Sequence, residues 1–134
     1  MIYLTDFRNP LIDPLPISLF YDYAEKSTKF FLNEVVAISV DGKTYYIPER
    51  FCSDGASIPR AFWGICEPLN GQYIGAFLKH DYCYANGIST REIVDYEMLD
   101  DLKLCGMSFA KRQAIYRAVR LFGSKYYRGN NNED

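Results

Sequence analysis

Asp41-Gly42 lies between two runs of strand-forming residues, Val35–Val40 before it and Lys43–Ile47 after it. This arrangement leaves the chain little choice. A two-residue connection between strands needs backbone with φ above zero, which Gly adopts freely and Asp tolerates better than most residues. Strands joined so tightly must be antiparallel neighbours, so residues 35–47 predict a β-hairpin. Pro48 has no N–H to donate, so it stops the second strand or places it at an edge. Upstream, Pro10, Pro14 and Pro16 forbid a helix and predict an extended lead-in. Downstream, Phe51–Arg60 predicts a structured loop, with Asp54-Gly55 as a tight turn. Ser57 in that loop can cap a predicted short helix over 58–63, with Pro59 in its first turn.

The second half carries helical punctuation instead. A first helix is predicted over about Gln72–Tyr84, ending at Asn86-Gly87, a left-handed stop. A second begins at Ser89-Thr90-Arg91-Glu92, which has the form of a capping box, and runs to Leu104 or Cys105 with Gly106 as its stop. A third is capped by Ser108 and runs to Phe122, stopping at Gly123. The tail 129–134 is polar and predicts fraying. The expected fold class is α+β: an N-terminal β-hairpin or small antiparallel sheet packed on a three-helix unit. The chain reads as one domain over 1–134, with strands and loops over 1–50 and a loop plus helices over 51–128, because this length suits a single core.

Composition narrows the class. At 49% hydrophobic and 24% charged, the chain is ordinary for a globular protein, but 12 Tyr and 9 Phe favour half-buried aromatic walls. No run of about 18 apolar residues exists, so no membrane span is expected. Met1–Arg8 lacks the basic start, apolar stretch and cleavage site of a secretory signal. Cys52, Cys66, Cys83 and Cys105 show no C-x-x-C pairing, which argues against a zinc knuckle and for reduced thiols. The net charge of -2 conceals an asymmetry. Residues 1–101 hold 8 Lys and Arg against 15 Asp and Glu, while residues 102–134 hold 7 against 2. In the third helix Arg112, Arg117 and Arg120 phase together, opposite Ala114, Ala118 and Leu121. Such a face fits phosphate, whether of a membrane surface or a nucleic acid, or an acidic protein partner; as a plain solvated face it would only offset the acidic half.

The chemistry concentrates at His80-Asp81-Tyr82-Cys83-Tyr84, which holds the only histidine. With residues placed at about 100° steps, His80 and Asp81 fall inside the apolar arc of the first helix, while Lys79 falls outside. In the second helix Asp95 falls within the stripe of Val94, Met98, Leu99 and Leu102, while Glu97 and Asp101 fall outside it. Carboxylates are rarely buried unless paired or bound to metal. Consecutive helices joined by a short loop pack as an antiparallel hairpin. Asp95 can then accept a hydrogen bond from His80 and fix its orientation, and Tyr84 can steady Asp95. Read structurally, the same residues form a polar cluster that locks two helices together. A Ser-His-Asp triad using Ser53 or Ser57 lacks the G-x-S-x-G elbow, and Cys83 as nucleophile has nothing else to support it. One histidine excludes a three-histidine zinc site. No phosphate loop or dinucleotide fingerprint is present.

Two resemblances follow from these residues. Phe51-x-Ser-Asp-Gly-Ala-Ser-Ile-Pro-Arg60, Trp63, His80-Asp-Tyr-x-Tyr84, Arg91 and Val94-Asp95, taken in order, resemble a phage and prophage family catalogued as domain of unknown function DUF 1353. That resemblance spans about residue 30 to Tyr127. It implies a virus-encoded protein of the virion or host cytoplasm, with a phage tail or host protein as partner, and implies no established activity. More locally, His80-Asp81-x-x-Tyr84 followed by Asp95 is similar to the active-site helix pair of phospholipases A-two. This resemblance implies His80 as the base that activates water, Asp95 as its orienter with Tyr84 in support, and calcium on Asp81. The glycine-rich calcium loop of those enzymes is absent, so Asp54 in Ser53–Ser57 would have to serve.

The leading expectation is a metal-assisted hydrolase acting on an ester lipid. The rival is a non-catalytic virion, assembly or host-interaction protein whose working surface is the basic third helix.

Overall fold

A computed structural model describes residues 2–3, 15–53 and 71–128. The strands are β1 (Ile2–Tyr3), β2 (Ile17–Asp22), β3 (Ser27–Leu32), β4 (Val36–Val40), β5 (Lys43–Ile47) and β6 (Cys52–Ser53). The helices are α1 (Ile74–Asn86), α2 (Arg91–Leu104) and α3 (Phe109–Phe122), followed by a 3-10 turn over Ser124–Tyr126. The fold class is α+β, as expected. The strands form two three-stranded sheets, β1-β4-β5 and β2-β3-β6, and β1 runs parallel to β4.

The Asp-Gly hairpin forms in the predicted register, from Val36↔Ile47 to Val40↔Lys43. Asp41 (φ 50) and Gly42 (φ 77) both occupy the left-handed region that such a turn demands. The β2–β3 hairpin carries no comparable sequence signal. Its turn is held by Asp22, whose Oδ1 accepts from the Ala24 and Glu25 amides at 3.0 and 3.1 Å. β6 then pairs with β3 through Phe31↔Cys52 and Phe30↔Ser53, which brings Ser53 alongside α1.

One core joins the sheets to the helices. Phe30, Leu32, Val36, Ile38, Val40 and Ile47 pack with Phe77, Leu78, Val94, Met98, Leu102, Ile115 and Val119. α1 begins and ends about two residues later than its periodicity predicts, and closes on Gly87 in the left-handed region (φ 60, ψ 37). α2 does not open with the predicted capping box. Its N-cap is Thr90, whose Oγ1 accepts from the Ile93 amide at 3.2 Å, so Glu92 falls one position short of the capping-box site. Ser89 instead adopts φ 60 and turns the chain between the helices. Ser108 caps α3 as predicted, accepting from the Lys111 amide.

The predicted turn at Asp54-Gly55, the short helix over 58–63, Trp63, Cys66, the lead-in prolines Pro10 and Pro14, and the tail 129–134 all lie outside the described residues.

Candidate active site

α1 and α2 pack side by side, and their facing sides hold the polar residues singled out by phase. His80 is 1% exposed and Asp95 is 0% exposed. His80 Nε2 lies 2.8 Å from Asp95 Oδ1, and the Tyr84 hydroxyl donates to the same oxygen at 2.6 Å. The His80 and Tyr84 rings lie with centroids 4.2 Å apart and planes tilted by 37°, in contact as expected one helical turn apart. The expected contacts among these three residues therefore form.

Two arginines complete the cluster. Arg120 Nη1 donates to Asp95 Oδ2 at 2.7 Å. Arg91, 2% exposed, donates from Nε to the Tyr84 hydroxyl at 3.1 Å. Its Nη2 reaches the Val119 and Arg120 carbonyls, both at 2.7 Å, at the end of α3, where the Val119 carbonyl also accepts from the Gly123 amide at 2.8 Å. Arg91 stands four residues before Asp95 on the same helix, with Nε 3.8 Å from Oδ2. Burial alone pushes the Asp95 carboxyl up, but the hydrogen bonds from His80, Tyr84 and Arg120 outweigh it and hold it below the usual carboxylate range. Burial, with Asp95 close by, pushes the Tyr84 hydroxyl far up, so it keeps its proton and donates it to Asp95 while accepting from Arg91.

The end of α3 is shaped to admit this cluster. A Cβ on Gly123 would lie 2.6 Å from the Val119 carbonyl oxygen and 3.1 Å from the Tyr84 hydroxyl. Gly123 has φ -83, so close approach and not left-handed backbone is what requires glycine here. Beyond it, the Tyr127 hydroxyl donates to the Ser89 carbonyl at 2.7 Å, and the Arg128 amide donates to the Tyr84 carbonyl at 2.8 Å.

Asp81 follows His80 on α1. It is half-buried and accepts a hydrogen bond from the Ser53 hydroxyl of β6. Its expected companion, Asp54, follows Ser53 directly but lies outside the described residues. Among the described residues, no three His, Cys, Asp or Glu side chains converge as a metal-binding group. Calcium takes roughly six to eight oxygens, so Asp81 does not by itself fit that ion.

Three expectations about phase need correction. Lys79 is not outside the helix seam: it is 9% exposed, with Nζ 2.9 Å from Glu97 Oε1 and 3.1 Å from Asp101 Oδ2. Glu97 and Asp101 are drawn into the same seam, and Glu97 Oε2 also accepts from the Asp41 amide at 2.7 Å. A long ammonium stem lets Lys79 bridge the helices from the margin of the apolar arc. The third correction concerns Arg112, Arg117 and Arg120. α3 buries Ile115, Ala118 and Val119 and leaves Leu121 73% exposed, so its inner face is rotated from the predicted one. Arg120 turns in to Asp95, Arg112 donates to the Met107 carbonyl and lies over the Phe109 ring, and Arg117 is exposed. Cys83 is buried and its thiol is pushed up to about 12 by that burial, which makes it a poor nucleophile.

Residues 31–119, most of the chain, match the family described as "Protein of unknown function (DUF1353)". The chain belongs to that family. It is also 31% identical over 84 residues to "Uncharacterized protein y4jT" of Sinorhizobium fredii (strain NBRC 101917 / NGR234). That stretch is 62% of this chain and 25% of the relative, so the chain spans about a quarter of the relative's length. No solved structure matches the chain. His80, Asp81, Tyr84, Arg91 and Asp95 all fall within the family's matched span, and Arg120 lies one residue beyond it. No helix among the described residues is long and apolar enough to cross a membrane.

Proposed function

We propose that the protein is an ester hydrolase in which His80 takes a proton from an attacking water while Asp95 orients the imidazole. The observation that carries this reading is the 2.8 Å contact between His80 and a fully buried Asp95 that Tyr84 and Arg120 also hold. A general base needs a fixed ring and a partner for the imidazolium formed when it accepts the proton. Asp95 supplies both. The likeness of His80-Asp81-x-x-Tyr84 to the phospholipase A-two helix pair points to a lipid ester as substrate, and a virus-encoded enzyme of this kind would act on host lipid. Asp81 is the candidate ligand for calcium, with Asp54 as the second carboxylate.

A second reading draws on a specific observation. His80 is 1% exposed, and its seam with Lys79, Glu97 and Met98 is packed too closely to admit a water molecule. Burial this complete favours a polar cluster that locks the helices. The basic-helix reading has less support, because Arg120 is committed to Asp95.

Assaying wild-type protein against phospholipid vesicles and soluble esters, with calcium and with chelator, tests the reading. Fatty-acid release that disappears in Asp95→Asn supports it. Release unaffected by Asp81→Asn and by chelator removes calcium while leaving the base in place. No release from any ester removes the hydrolase.

A further inference from the structure

Asp95 is surrounded by groups that can donate to it. Arg120 donates to Oδ2, and guanidinium has no acceptor. Arg91 donates from Nε to the Tyr84 oxygen, so the single hydroxyl proton of Tyr84 must point to Asp95 Oδ1. The direction of that chain is set at its far end by a group that does not lose its proton. His80 Nε2 is the remaining partner at 2.8 Å. An ionised carboxylate accepts only, so His80 must bring the proton to this contact.

We infer that Arg91 and Arg120 are positioning residues that fix the neutral His80 ring as its Nε2–H tautomer, which makes Nδ1 the basic nitrogen. Both arginines act on His80 through Asp95 and Tyr84. The inference deepens the reading of His80 as a base and says which atom receives the proton. It also explains why two cations from different helices are drawn to one buried carboxylate. Arg91 comes from the start of α2 and Arg120 from the end of α3, and Arg91 also holds the Arg120 carbonyl, so the two are fixed relative to each other.

The only histidine in the chain gives a clean spectrum. Long-range nitrogen–proton correlation of the 15N-histidine-labelled full chain, near neutral pH, reads the tautomer directly. The wild type should show one protonated ring nitrogen, Nε2, in slow exchange with water. In Arg120→Met the contact should lose that protection, and the two nitrogen shifts should move toward each other as both tautomers become populated. Arg120→Lys should restore the wild-type pattern. A wild-type ring protonated on Nδ1, or on both nitrogens, overturns the inference without recourse to any variant. So does an Arg120→Met protein with an unchanged histidine spectrum. The measurement does not depend on turnover. A single-tautomer spectrum in a protein that hydrolyses no ester would retain the positioning network and discard the hydrolase. Hydrolysis with the opposite tautomer would do the reverse.

Discussion

Asp101→Asn should abolish a pH dependence of stability that the wild type shows between mildly acidic and mildly alkaline conditions. Lys79 faces two carboxylates in the α1–α2 seam, Glu97 and Asp101. Burial works against the Lys79 ammonium, yet Asp101 and Glu97 together raise its pKa. Burial also raises Asp101, to about 6 from 3.8; Lys79 opposes the rise, while Glu97 and Asp100 add to it. The two directions look contradictory for one ion pair, but they agree once the stoichiometry is counted. A single ammonium stabilised by two anions cannot neutralise both, and the more buried carboxylate retains its proton more readily. With the folded pKa above the unfolded one, the folded state binds more protons between pH 3.8 and about 6, so stability rises as pH falls through that window. Above about pH 6 the cost of ionised Asp101 is fully present. Lowering the pH one unit below the folded pKa, to about pH 5, recovers about 1.4 kcal/mol from this group. Urea unfolding at about pH 7.5 and about pH 5 should therefore move the wild-type midpoint upward by roughly 0.5–1.4 M more than that of Asp101→Asn. His80 is present in both proteins and cancels in the comparison. Equal pH shifts in the two proteins would refute the shared-ammonium account.

Thr90→Ala should cost about 1 kcal/mol by removing the α2 cap, while Ser89→Ala should stay within about 0.5 kcal/mol; chemical denaturation separates them, and the reverse order would reinstate the capping box. Gly123→Ala should lower stability by about 1–3 kcal/mol, because the added methyl meets the Val119 carbonyl and the Tyr84 hydroxyl, and thermal unfolding measures it. Arg120→Glu should cost about 3 kcal/mol or more by replacing the cation hydrogen-bonded to buried Asp95 with a like charge, whereas Arg117→Glu should change stability by less than about 0.5 kcal/mol; equal effects in denaturant titrations would contradict the division of this basic face.

The elements were legible where local chemistry decides them. Asp41-Gly42, Asn86-Gly87 and Ser108 each demand a particular turn or cap, and each forms. The β2–β3 hairpin was not, because its turn is made by the Asp22 side chain and not by glycine or proline. Helical phase placed His80 and Asp95 inward correctly, since Ala76, Phe77 and Cys83 share the inner face of His80, and Val94, Met98 and Leu102 that of Asp95. It misplaced Lys79 and Asp101, because a long side chain can enter a seam from its edge and bring an anion with it. The partners of Asp95 mark the sharpest limit. Arg91 was within reach of sequence reasoning, standing one helical turn before a buried carboxylate. Arg120 was not: its part in the site depends on how α3 crosses α2, which no periodicity encodes. Asp81 met a hydroxyl from β6, a contact set by sheet pairing rather than by the helix that carries it.

The paired measurement of ester turnover and unfolding free energy in a single His80→Ala variant bears most directly on whether the cluster around Asp95 is a working site. The hydrolase account predicts a wild-type protein that releases fatty acid from phospholipid vesicles, and a variant that has lost this release while remaining folded at the assay temperature. Truncating a buried, hydrogen-bonded side chain costs about 1–3 kcal/mol, so stability will fall somewhat under either reading. A wild type that turns over no ester, with a variant changed only in stability, would contradict the account and leave the cluster as a lock between helices.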